Sequence, residues 1–195
     1  AEIFAQLGKI LKKKGLSTLV GDEGGYSPAL SSNNEVIETI MSAASELGYS
    51  NGKEYQFALD AAASEFFEGD GYIFKKENRT LTPEELVAYY LEMQKKYQVF
   101  SFEDPFSEDD WKHFAQLTAH SNGQYLVVGD DLFVTNTKRL SQGIDQHAAN
   151  AILVKVNQIG SLLETVEAIT MAREAGFKVV ISHRSGETED TFISD

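Results

Sequence analysis

Three acidic residues stand where apolar runs end: Asp60 in LDAAASEF, Glu103 in FEDPF and Asp130 in VGDDL. One carboxylate in such a place caps a helix or pairs with a lysine, but three that face one another raise each other's pKa and resist ionisation. A hard divalent cation removes that conflict. The chain has no cysteine and no HExxH pattern, so the donors on offer are oxygens. Oxygen-only ligation favours Mg2+ over zinc. Lys155, between Val154 and Val156 in AILVKVNQIG, is expected mid-strand with its ammonium among those carboxylates. Burial and a metal's charge both favour the neutral amine, which is how a lysine becomes a general base; a structural ion pair is the plainer alternative. Glu23, in GDEGG, sits among glycines that let backbone approach a ligand, or else is an ordinary loop acid. His183 ends the run KVVISH, followed by Arg184 and Ser185; the commoner fate of such a histidine is a satisfied place in the core.

For residues spread over this much chain to meet, regular elements must carry them to one place. Apolar strands are read at 56–60, 99–104, 125–131, 151–157 and 178–183, with a short sixth, STLV, before the GDEGG loop. Helical patterns separate them. The opening segment puts Ile3, Phe4, Leu7, Ile10 and Leu11 on one face and stops at Gly15, and a second helix carries Val36, Ile37, Ile40, Met41, Ala44 and Leu47 before Gly48. Thr82, Pro83 and Glu85 start a third helix with a capping box, Thr137–Leu140 carry a helix signal, and Ser161 with Glu164 opens another that Gly176 stops. Continuous apolar strands alternating with helices indicate a parallel sheet covered by helices. Glu23, Asp60, Glu103, Asp130, Lys155 and His183 all lie at strand C-terminal ends, 25 to 43 residues apart. A doubly wound sheet gathers ligands only near its switch point, whereas a barrel brings every strand end to one mouth. The expected fold is therefore α/β, an incomplete (β/α)8 TIM-type barrel with about six of its eight strands.

Bulk properties narrow the function. Seventeen basic against 30 acidic residues give a net charge of −13, which repels nucleic acid and anionic membranes. An anionic substrate needs a divalent cation or a local cationic cluster to reverse that sign. No stretch is long and apolar enough for a membrane span, and AEIFAQLGKILKKKG lacks a signal-peptide core, so a cytoplasmic location is expected. Without cysteine, disulfides and thiolate catalysis are excluded. Gly24 and Gly25 form no phosphate-binding glycine motif, and Ser182 and Ser185 lack a nucleophile elbow. His113, His120 and His147 are read as surface residues, and 69–79, GDGYIFKKENR, as an exposed hairpin or loop insertion.

GDEGGYSP, LDAAASEF, FEDPF, VGDDLFVTN, KVNQIGSLLETVEAI and SHRSGETED, in this order and spacing, resemble the enolase family of phosphopyruvate hydratases across essentially the whole chain. SHRSGETED and KVNQIGS resemble enolase proper rather than other branches of its superfamily. The resemblance implies dehydration of 2-phosphoglycerate to phosphoenolpyruvate in glycolysis, in a superfamily whose sites pair a lysine or histidine base with one or two Mg2+ ions. It implies that Asp60, Glu103 and Asp130 hold Mg2+, that Lys155 removes the C2 proton, and that Glu23 acts as acid on the C3 hydroxide. His183, Arg184 and Ser185 would contact the substrate. It further implies a homo-oligomer, and a partial barrel domain over 1–195 that lacks the family's N-terminal domain and a later strand bearing a second active-site lysine. The chain by itself is accordingly expected to be inactive or nearly so. Two other readings stand beside this one: a surface role such as the plasminogen binding some enolases show, for which the segment FFEGDGYIFKKENR is the candidate and mutation of Lys75 and Lys76 the test, and a sugar-acid enzyme of the same superfamily, which SHRSGETED argues against. Ala61 and Ala62 stand where many relatives have a cysteine, and Phe102 replaces a common isoleucine, both read as packing variation.

Overall fold

The computed structural model describes residues 1–184, 189 and 191–193. The chain divides into two compact units, Ala1–Phe57 with Phe74–Arg79, and Ala58–Ile73 with Thr80–Asp195.

In the first unit, helix α1 (Glu2–Lys13) packs on α2 (Asn33–Glu46). Ser32 caps α2 by accepting the Glu35 amide at 3.2 Å. Phe4 of α1 stacks on Tyr26 with ring centroids 4.2 Å apart, and a Cβ at Gly8 would collide with the Tyr26 hydroxyl, so a larger residue there would force the ring to shift. The strand expected at STLV does not form. Its hydrogen bonds close its own loop instead: the Ser27 amide donates to the Leu19 carbonyl, the Gly21 amide to the Gly25 carbonyl, and Val20 pairs only with Tyr26 as an isolated bridge.

The larger unit is built on a sheet in the order β1 (Phe57–Asp60), β5 (Val99–Glu103), β6 (Leu126–Gly129), β7 (Ala151–Val154), β8 (Lys178–Ile181). The pairings β5 to β6, β6 to β7 and β7 to β8 are parallel, with Ser101 opposite Leu126, Val128 opposite Ala151 and Ala151 opposite Lys178. All four residues of β7 are buried, as a strand covered on both faces requires. Five strands do not close a barrel, and β1 and β8 are the edges. Between β1 and β5 lie a small antiparallel sheet of β2 (Phe67–Glu68), β3 (Gly71–Phe74) and β4 (Arg79–Leu81), then helix α3 (Pro83–Tyr97). Both arms of the α3 capping box form: the Glu85 amide donates to Thr82 Oγ1 and the Thr82 amide to Glu85 Oε2. Helices α4 (Trp111–Ser121), α5 (Thr137–Asp145) and α6 (Leu162–Glu174) follow β5, β6 and β7 in turn. Phe102 sits in an aromatic layer, tilted against Tyr90 at 5.1 Å and edge-on to Tyr125 at 5.6 Å, which gives the larger ring its place.

Two sequence readings change here. The 69–79 segment does form a hairpin, but Tyr72 within it is fully buried; its hydroxyl donates to Asp110 Oδ2 at 3.1 Å and accepts the Ser107 amide at 2.9 Å. His113 is buried rather than on the surface, its Nδ1 2.6 Å from Asp110 Oδ1 and its Nε2 3.1 Å from Glu84 Oε1, tying α4 to α3. Hydrogen bonds from Lys112, then His113, hold Glu84 down at about 2. His120 and His147 are exposed, as expected. Among the described residues no helix is long and apolar enough to cross a membrane.

Candidate functional site

The C-terminal ends of β1, β5, β6 and β7 lie side by side, and the expected residues stand on them. Asp60 and Glu103 are the last residues of β1 and β5; Asp130 and Lys155 are the first beyond β6 and β7. Lys155 is thus not mid-strand. The ladder stops at Val154 because the Lys155 amide turns to Thr135 Oγ1 at 3.1 Å. The Lys155 ammonium donates to Asp130 Oδ2 at 2.6 Å, while Asp130 Oδ1 is buried with no hydrogen-bond partner among the described residues.

The carboxylates feel one another. Burial, then the charges of Asp60, Asp130 and Asp104, push Glu103 from its ordinary 4.5 up to about 7, with Lys155 opposing. Asp60 is also raised, by loss of water first and by Asp130 and Asp131 next, against a hydrogen bond from the Ala62 amide and the charge of Lys155. Its side chain is exposed at the sheet edge, yet the protein around it displaces enough water to disfavour the ion. Asp131 rises through burial and the neighbouring Asp130. An acidic cluster with raised pKa values, and a buried acceptor oxygen that no donor among the described residues reaches, has the chemistry of a cation site: a divalent ion supplies the charge that one ammonium cannot.

The sequence analysis singles out one acid of each pair in FEDPF and VGDDL, Glu103 and Asp130; the structure places the second acids, Asp104 and Asp131, in the same acidic cluster. One oxygen from each of Asp104, Asp130 and Asp131 lies within 4.8 Å of the others. Asp104 is buried, and burial pushes it up to about 7 although the Asp131 and Asp130 amides donate to it. The only signal for these residues was the doubled acid itself.

Backbone strain collects at the same strand ends. Ala62, Asp104, Val134 and Thr135 all have positive φ, at 44°, 39°, 44° and 54°. A non-glycine residue there costs on the order of 1–3 kcal/mol, and two of the four are β-branched. The buried Thr135 hydroxyl, besides accepting the Lys155 amide, donates to Gln158 Oε1 at 2.9 Å, so a strained residue fixes the backbone of the lysine.

The remaining expected residues are placed differently. Glu23 is exposed, in the glycine loop of the smaller unit. His183 and Arg184 are exposed and follow β8, so His183 is not a core histidine. The Ser182 amide donates to the Val154 carbonyl at 2.9 Å, carrying the pairing one step past β8 and bringing this segment's backbone to the Lys155 end of the sheet. Ser185 lies outside the described residues.

The whole chain, residues 1–195, matches the profile of the family described as "Enolase, C-terminal TIM barrel domain". It is 50% identical over 194 residues to a protein named Enolase from Natranaerobius thermophilus, covering 100% of this chain and 45% of that one. It is also 50% identical over 195 residues to a protein named Enolase from Beutenbergia cavernae, again covering 100% of this chain and 45% of the relative. The chain therefore spans somewhat under half the length of these relatives.

Proposed function

The chain belongs to the enolase family through its C-terminal TIM barrel domain, and on that premise we propose that the protein it comes from dehydrates 2-phosphoglycerate to phosphoenolpyruvate. The observation that carries this reading is that Asp60, Glu103, Asp130 and Lys155 stand on four adjacent strand ends, with Asp130 Oδ1 buried and unpartnered among the described residues. Asp60, Glu103 and Asp130 would hold Mg2+, and the bound ion offsets negative charge that develops on the substrate when its proton leaves.

The chain's own residues supply the rest. Lys155 Nζ, held at the carboxylate mouth by its hydrogen bond to Asp130, takes the C2 proton on the lone pair of the unprotonated amine and becomes the ammonium. The electron pair of that C–H bond becomes the C2–C3 double bond, and the C3–O bond breaks. Glu23 protonates the departing hydroxide, so that water leaves. His183, Arg184 and Ser185 contact the substrate's anionic groups. In this reading residues 1–195 are part of a barrel completed by chain outside them, with an N-terminal domain, in a homo-oligomer located in the cytoplasm. The net charge of −13 argues against nucleic acid as a partner.

Exchange of the substrate's C2 proton with solvent deuterium separates the two roles in the full-length protein. Lys155→Ala is expected to abolish both exchange and dehydration, and Glu23→Gln to abolish dehydration while exchange persists. Exchange that survives in Lys155→Ala would overturn the assignment of the base.

A further inference from the structure

We propose that Asp104 is a positioning residue, which fixes the backbone that presents Asp130 and takes no place among the metal's ligands. The inference rests on the reading of Asp60, Glu103 and Asp130 as the Mg2+ ligands. Asp104 follows directly on β5, and its own amide donates to the Val128 carbonyl of β6 at 3.0 Å. Its carbonyl accepts the Ala63 amide, from the turn after β1, at 3.1 Å. Its side chain then accepts the Asp130 amide on Oδ1 at 3.0 Å and the Asp131 amide on Oδ2 at 2.7 Å. One buried residue therefore ties together the ends of the three strands that bear Asp60, Glu103 and Asp130.

Its conformation agrees with that use. The chain accepts φ of +39° at Asp104, so this residue departs from the extended conformation that carries Glu103 and directs its carboxylate along the sheet to the amides at the end of β6. The rival reading makes Asp104 a ligand, since its oxygens come within 4.8 Å of those of Asp130 and Asp131. Against it, each Asp104 oxygen already receives a backbone donor, whereas Asp130 keeps Oδ1 unpartnered among the described residues. Groups that orient ligands matter nearly as much as the ligands, and their loss typically weakens metal binding about 10- to 100-fold.

Asp104→Asn is the test, because the amide keeps the shape but sets an NH2 group against one of the two backbone donors. In the full-length protein, Mn2+ titration followed by electron paramagnetic resonance is expected to show binding weakened about 10- to 100-fold, against a near-complete loss in Asp130→Asn. In the metal-free protein, whichever of the Asp130 and Asp131 amides faces the new NH2 group is expected to lose protection from hydrogen exchange. Unchanged Mn2+ affinity, or a loss as complete as that of Asp130→Asn, would overturn the proposal, as would unchanged amide protection. Should the asparagine variant fold poorly, Asp104→Ser, which keeps one acceptor, is expected to lose protection at one amide and to weaken Mn2+ binding less than the asparagine variant does. Wild-type protein that binds no Mn2+ would instead refute the metal-site reading, and the exchange experiment would still decide whether Asp104 anchors the turn.

Discussion

Glu103→Gln keeps the size of the side chain and removes one charge from the strand-end cluster. Burial and the charges of Asp60, Asp130 and Asp104 raise Glu103 from 4.5 to about 7, so between those values the folded protein holds a proton that the unfolded chain has released. Stability from this group is accordingly complete below the ordinary carboxylate range and lost as pH rises to about 7. At about 1.4 kcal/mol for each tenfold change in protonation, the interval corresponds to roughly 3 kcal/mol. Glu103 is only half-buried, so screening by water leaves about 1–2 kcal/mol. In EDTA at about pH 8, where the wild-type group is ionised, Glu103→Gln is expected to unfold at higher urea by that amount, and at about pH 4 the gain should vanish. Saturating Mg2+ should reverse the order, because the wild type gains the free energy of binding and the variant forfeits much of it. Urea titrations of the full-length protein under these conditions measure each quantity. A variant less stable than wild type in EDTA at about pH 8 would refute the reasoning, since it would mean that the Glu103 charge is satisfied without a metal.

Thr135→Val keeps the shape of a buried side chain but takes the acceptor from the Lys155 amide and the donor from Gln158; we expect a loss of about 1–3 kcal/mol in urea unfolding and a fall in kcat larger than any change in KM. Gly143→Ala drives a methyl group into the Phe133 ring, with Trp111 behind it, and should cost about 1–3 kcal/mol and lower Tm by several degrees, measured by calorimetry. His113→Ala removes the partner of Asp110 at 2.6 Å and the link from α4 to α3, and a loss of about 2 kcal/mol is expected from urea unfolding, with the midpoint unchanged if the bond contributes nothing.

The strand ends were legible because a strand buried on both faces must be a continuous apolar run, and an acid that interrupts such a run marks its end. Asp60, Glu103 and Asp130 are found in this way, and with Lys155 they stand on adjacent strand ends where their charges act on one another. The division of labour between Glu103 and Asp104 was not legible: it depends on a backbone φ of +39°, which no pattern of residue types encodes. Thr135 escaped notice for the same reason, its φ being +54°. The strand expected over 151–157 stops at Val154 because the Lys155 amide turns to a threonine hydroxyl instead of a neighbouring strand. STLV has the composition of a strand, but its partners lie in its own glycine loop. His113 looked like a surface residue because Glu84, one of the two acids that bracket it, is 29 positions away and meets it only when α3 and α4 pack. The buried role of Tyr72 likewise depends on Ser107 and Asp110, more than 30 residues downstream.

Formation of phosphoenolpyruvate by the purified full-length protein, followed by its ultraviolet absorbance, tests the central claim most directly. With 2-phosphoglycerate and Mg2+ the absorbance is expected to rise, to stop when EDTA is added and to resume when Mg2+ is restored. No rise with Mg2+ present, or a rate indifferent to EDTA, would contradict the assignment of the Asp60, Glu103, Asp130 and Lys155 cluster as a metal-assisted dehydration site.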